Sequence, residues 1–303
     1  MSRVSDPCLL STRNINISSS GDGYYQEKHY QRQSPKRSVD LRASRYSPWQ
    51  RDNEYILTNY RPASNSTSGS LRSMLAVHNE TTNIWSHFLG ALWFIAGLVH
   101  FYTSAVADRP LIKAADATIV GLYYICVVVC FLLSTFFHTF SDHSPHVHKL
   151  GNELDHLGIV LVMWGSGISS TYFGFYCDQT LRNTYIAAIT TTALGCAVFT
   201  LQPTFRQPSY RTVRFLMYCF LGSSLFAPCI HGLKLYGWEL LNIRMSLSHF
   251  IGLALINFSG AAVYAARIPE RWYPKTFDLV GQSHNLMHVL VILGAVVRLR
   301  GLL

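Results

Sequence analysis

The chain has 303 residues, of which 49% are hydrophobic, 13% aromatic and only 14% charged. That is too apolar and too charge-poor for an average soluble globular protein, and it reads as an integral membrane protein. The net charge of +9 does not indicate nucleic acid, because the basic residues are spread over a polar N-terminal segment and the short connections between apolar runs, as membrane topology predicts.

Residues 1–68 are rich in Ser, Arg, Tyr, Asn and Gln without a sustained helical or strand period, and read as a disordered cytosolic tail. Ser34-Pro35 and Ser47-Pro48 lie near basic residues within it. Residues 69–83 lead into the first of seven apolar stretches, near 84–106, 116–140, 156–175, 184–203, 213–236, 243–266 and 282–301. Each is close to the ~20 residues that cross a bilayer core. Polar breakers separate them, such as Ser141-Asp142-His143-Ser144-Pro145 and Arg267-Ile268-Pro269-Glu270-Arg271. The fold class predicted is therefore an all-α bundle of seven transmembrane helices over 84–303. Cys126, Cys130, Cys196, Cys219 and Cys229 fall inside these stretches without a CxxC pair, and read as packing residues.

With the N-terminus inside, 18 Lys and Arg lie on the cytosolic side and seven outside, the outer set including Lys234, Arg244, Arg298 and Arg300. This bias predicts a cytosolic N-terminus and an outer C-terminus. Asn16, Asn65 and Asn79, each in a glycosylation sequon, would then face the cytosol.

The last stretch opens with Ser283-His284-Asn285-Leu286-Met287-His288, which places two imidazoles at i and i+4 on one helix face. His138 lies near the end of the second stretch and Asp155 at the start of the third, so on this topology all four reach one membrane depth. Three histidines from two helices with a nearby acid match a catalytic zinc sphere of three protein ligands and one open position. Ser134, one turn before His138, can reach a substrate group, and Asp155 can hold or deprotonate water. Ionisable groups inside spans are costly and usually functional. Whether such a zinc ion is catalytic or ties two helices together is left open by the spacing. His143, His146 and His148 read as solvated loop residues, and His100, His231 and His249 as packing residues.

Five ordered motifs carry a resemblance: His78-Asn79-Glu80-Thr81-Thr82-Asn83-Ile84-Trp85-Ser86-His87, Ser134-Thr135-Phe136-Phe137-His138 followed by His143-Ser144, Leu154-Asp155-His156-Leu157-Gly158, Ile268-Pro269-Glu270-Arg271-Trp272, and Ser283 to His288. Together they resemble the adiponectin-receptor, progestin-receptor and haemolysin III-like family, from about residue 70 onward, with features similar to its fungal branch. The resemblance implies zinc on His138, His284 and His288, with Asp155 reaching the metal through water and Ser134 close by. It also implies a relation to the alkaline ceramidases, which hydrolyse the ceramide amide. His156 stands where the family usually has Tyr, and Asn285 where Gln is frequent.

Two functional expectations follow. One is a zinc-dependent hydrolase of the ceramide amide, acting in lipid or sterol signalling and zinc homeostasis, and the other is a signalling receptor with structural zinc. The expected partners are membrane lipids, ceramide or a sterol-like ligand, or a small-molecule or protein signal, with no nucleic acid. The plasma membrane is the favoured location over endomembranes. His78, Asn79, Glu80 and Asn83 would cap the first helix or brace its neighbours, and Glu270 and Arg271 would pair with them.

Overall fold

A computed structural model describes residues 48–51, 53–107, 112–202 and 211–303. The described residues belong to one unit spanning Asp40–Leu303, and they contain helices and turns but no strand. A short helix α1 (Thr67–Ser73) precedes α2 (Thr81–His100), which continues as a wider π-turn over Phe101–Val106. After it come α3 (Ala114–Phe140), α4 (Pro145–Gly174), α5 (Gln179–Leu201), α6 (Arg211–Ser224), α7 (Phe226–Met245), α8 (Leu247–Ala266) and α9 (Ser283–Leu302). Among the described residues seven segments are long and apolar enough to cross a membrane, α6 and α7 combining into one over Leu216–Met245. The chain is an integral membrane protein of the expected all-helical class.

Local chemistry sets the ends. The Ser144 hydroxyl accepts from the Val147 amide, and Pro145 occupies the first helical position of α4, where a missing N–H costs nothing. That pair starts α4 eleven residues before the apolar run suggested, so Asp155 lies in its third turn and not at its start. His146 and His148 likewise belong to the first turn of α4. Asp178 caps α5 in the same manner through the Leu181 amide. A single residue, Ser246 in the left-handed region (φ 52°), joins α7 to α8.

Among the described residues three apolar cores form between the spans, the smallest of them Val160, Ala193, Cys196 and Leu221. Phe94, Tyr123, Val127 and Phe131 fill the space among α2, α3 and α9, while Ile168, Phe175, Ile189, Leu241 and Met245 fill that among α4, α5 and α7. Leu89, Leu92, Trp93 and Val99 of α2 stay exposed on the outer wall, as lipid-facing residues should.

α3 and α4 are packed tightly enough that glycine is required where they cross. A Cβ on Gly158 would meet the Cα of Cys130 at 2.9 Å, one on Gly151 the Cα of Phe137 at 3.3 Å, and one on Gly165 the Sγ of Cys126 at 2.9 Å. These pairings place Asp155 of α4 at the height of Ser134 of α3.

Two expectations are corrected. Residues 53–68 are not loose: Asp278 accepts from the Leu57 amide at 3.1 Å, the Thr58 amide at 2.7 Å and the Thr58 hydroxyl at 2.5 Å, and the Asn53 amide group donates to Glu270 at 2.9 Å. The rest of the expected tail, residues 1–47, with Asn16, Ser34 and Ser47, lies outside the described residues, as does the Cys219 side chain. Arg298 is not an outer loop residue; it is fully buried in α9, donating to the Met245 carbonyl and to Ser169 Oγ, each at 3.2 Å. The carbonyl belongs to the last residue of α7, where a cation complements the helix dipole.

Candidate metal centre

The end of α3, the start of α4 and the starts of α2 and α9 all lie at one end of the bundle. There His138, His284 and His288 each offer a ring nitrogen within 4.8 Å of the other two. Every pair of rings has centroids 4.9 Å apart, so the three imidazoles form a nearly equilateral triangle. His138 and His288 are buried and His284 partly so.

Hydrogen bonds select the tautomers. His138 Nδ1 lies 2.7 Å from the Glu80 carboxylate, which only accepts, so Nδ1 carries the proton and Nε2 keeps its lone pair. That Nε2 is buried without a hydrogen-bond partner. His288 Nδ1 lies 3.3 Å from Ser86 Oγ, whose own proton goes to the Asn83 carbonyl, so this Nδ1 also donates. Two neutral imidazoles with oriented lone pairs, each backed by an oxygen acceptor, are what a zinc site asks of its ligands and their supports. The residues present fit the ion.

Ser134 lies one turn above His138, buried, with an Oγ that has no hydrogen-bond partner. Asp155 is partly buried across the α3–α4 crossing at the same height. It stands outside the three-histidine group. A cavity of about 40 Å³ touches His284 and is also lined by Glu80, Tyr264, Gln282 and residues of the N-terminal segment, which is room for water.

Several contacts at this end were not anticipated from the sequence. His87 stacks on His288 with ring centroids 3.8 Å apart, and on Phe131 at 4.6 Å, and neither of its nitrogens has a hydrogen-bond partner. Arg61 donates to the carbonyls of His138 at 2.6 Å and Thr139 at 2.9 Å, and pairs with Asp142 at 3.4 Å. Glu270 accepts from the Ser283 amide at 2.8 Å and from the Ser283 hydroxyl, so an acid on the α8–α9 connection caps the helix that carries two ligands. His87, Glu80 and Glu270 all fall in the quoted motifs, but their partners are remote in sequence. Of the histidines read as solvated, His148 instead packs on Phe137 and reaches the Ser141 carbonyl at 2.9 Å. His231 accepts or donates at Tyr185 over 2.9 Å, a packing role.

Charges at this end are shifted by their surroundings. Burial lowers the Arg61 guanidinium from its ordinary value, against the pull of Asp142. Burial, reinforced by the Arg61 charge, lowers the His78 ring to about 4. Burial alone would raise the Glu80 carboxyl, but the hydrogen bond from His138 opposes it, and the group lies below the usual carboxylate range.

Comparison with known proteins places this architecture. The family model for haemolysin-III related proteins matches residues 75–299. The chain belongs to the haemolysin-III related family. Among individual members it is 34% identical over 254 residues to the adiponectin receptor protein of Drosophila melanogaster, covering 84% of this chain and 56% of that one. It is 31% identical over 261 residues to the ADIPOR-like receptor IZH2 of Saccharomyces cerevisiae, covering 84% and 80%. Heptahelical transmembrane protein 3 of Arabidopsis thaliana is 29% identical over 280 residues, with 81% of each chain covered. The chain thus spans only a little over half of the fly member, and most of the yeast member. Within this haemolysin-III related chain the triangle lies inside the matched region, whereas Arg61 lies before it.

Proposed function

We propose that this haemolysin-III related chain binds zinc at His138, His284 and His288 and hydrolyses the amide of ceramide or a similar membrane lipid, with its N-terminus in the cytosol and the plasma membrane as its location. The carrying observation is the triangle of imidazoles with ring nitrogens within 4.8 Å of one another, in which His138 Nε2 is buried without a hydrogen-bond partner, beside the buried Ser134 hydroxyl, which also has none. A zinc ion there would supply Lewis-acid polarisation of the amide carbonyl and acidify a neighbouring water.

The remaining roles belong to the chain. Asp155 takes the proton of the attacking water and returns it to the leaving amine, the general base and then general acid of the cleavage. The Ser134 hydroxyl donates to the oxygen on which negative charge develops. The acyl and sphingoid tails stay in the lipid between helices, so only the amide enters the polar end of the bundle. Released sphingoid base would act as the signal that couples the protein to lipid, sterol and zinc homeostasis.

A second reading is favoured by two observations: the fly relative is named a receptor and a Caenorhabditis elegans relative a receptor-like protein, progestin and adipoQ receptor-like protein 1, and Asp155 stands outside the histidine group. In it zinc pins α3 to α9, and a lipid, sterol-like, small-molecule or protein ligand shifts the packing without turnover.

Fatty-acid release from a panel of ceramides separates the two. The hydrolase reading expects release by purified zinc-loaded protein, loss on chelation, and loss in Asp155→Asn with zinc retained. Absence of release by zinc-loaded wild type, with chelation lowering only the thermal midpoint, selects the receptor.

A further inference from the structure

Glu80 occupies the N-cap position of α2, where an acidic side chain normally turns back to accept from its own helix, yet its carboxylate makes no capping bond. It is directed across to α3 instead, 2.7 Å from His138 Nδ1. The same oxygen accepts from Asn83 Nδ2 at 2.8 Å. Asn83 Oδ1 in turn accepts from Asn285 Nδ2 at 2.7 Å, and Asn285 Oδ1 accepts from the Gly281 amide at 3.0 Å. Both carboxamides therefore use their N–H toward Glu80 and their oxygen away from it, so the donations run in one direction from the α8–α9 connection to Glu80, where the bond from His138 meets them. Asn285 sits between the two α9 histidines in sequence. A second tie, Gln282 Nε2 to the Asn79 carbonyl at 2.9 Å, holds the same two helix ends together.

We propose that Glu80 is a positioning residue of the metal centre, which orients His138 directly and, through Asn83 and Asn285, sets the distance between the α3 ligand and the α9 ligand pair. This rests on the reading that the three histidines hold zinc. The physical reason is geometric: a ligand on one helix and two on another meet at one ion only if both helix ends are held in register, and loops do not supply that register. The carboxylate also keeps the proton on Nδ1, so that Nε2 is the donor atom. Removing such a partner typically lowers metal affinity by about 10–100-fold.

The test is zinc affinity of the purified full chain in detergent, by competition against a chromophoric chelator, with the thermal midpoint of the metal-free protein measured in parallel. Wild type, Glu80→Ala, Glu80→Gln and Asn285→Ala are compared, with Asp278→Ala as a destabilised control remote from the ligands. Glu80→Ala is expected to lose about 10–100-fold in affinity, Glu80→Gln and Asn285→Ala about tenfold or less, and Asp278→Ala nothing beyond its lower midpoint. Glu80→Gln keeps the size and an oxygen acceptor, and carries the test should the alanine variant not fold. Wild-type affinity in the glutamate variants that fold, or an equal loss in Asp278→Ala, overturns the proposal. Failure of wild type itself to take up zinc is a separate result, which overturns the zinc reading and this inference with it.

Discussion

The guanidinium of Arg61 donates to the carbonyl oxygen of His138 across 2.6 Å. A residue before the first span therefore closes the C-terminal end of α3, whose last carbonyls lack partners within the helix, at the turn that carries a candidate ligand. Arg61 also pairs with buried Asp142 and bonds to Ser73 and Ser141. Arg61→Ala leaves that acid buried and unpaired, and is expected to destabilise the protein by about 3–5 kcal/mol. Arg61→Lys should recover little, because one ammonium cannot reproduce the forked contacts. Thermal unfolding in detergent checks this, and a wild-type midpoint in Arg61→Lys would contradict it.

Asp278 anchors the same N-terminal segment through three donors of Leu57 and Thr58. Asp278→Ala should free residues 53–58 while leaving Arg61 on its own partners and the seven spans folded. Limited proteolysis is then expected to cut within 53–58 faster than in wild type, with the bundle fragment surviving. Equal cutting rates would show that other contacts hold the segment.

His78 supplies a pH dependence. Its Nδ1 accepts from the Glu80 amide at 3.1 Å and its Nε2 faces the Ser73 carbonyl at 3.0 Å, an arrangement suited to the neutral ring. The folded pKa, about 4, lies below the unfolded value of roughly 6.5. The unfolded chain thus binds more protons between these values, so stability is complete above about pH 6.5 and falls as pH drops toward 4. His78→Gln should lose less stability than wild type over this window, and identical slopes would refute the assignment.

Much of the fold was legible because a span needs about 20 apolar residues and each run supplies them. The start of α4 was not, because Ser144-Pro145 serves equally as a loop breaker and as a helix cap with proline at the first position. The order of residues 53–68 was hidden for a different reason: Leu57 and Thr58 find their acceptor some 220 residues away, and composition carries no trace of it. His138, His284 and His288 could be found from helical spacing and shared depth. Glu80 sat in a recognisable motif as a cap or brace of the first helix, and its bond to His138 stayed hidden because that partner lies 58 residues on.

The α3–α4 crossing sets the height of Asp155 against Ser134, and Gly158 permits it. Gly158→Ala places a Cβ 2.9 Å from the Cys130 Cα, a contact that only movement of the backbone relieves. It should cost about 1–3 kcal/mol and lower turnover while zinc remains bound. Gly195→Ala, with open space around its Cβ, should be neutral or stabilising by up to about 1 kcal/mol. Equal midpoints for the two variants would contradict the crossing.

The central claim is that one ion is held by three histidines from α3 and α9, and metal content tests it most directly. Purified wild-type protein, equilibrated with zinc and freed of excess, is predicted to carry one zinc per chain, and His138→Ala and His288→Ala to carry none while retaining helical content. Metal-free wild type, or histidine variants that keep a full complement of zinc, would contradict the account.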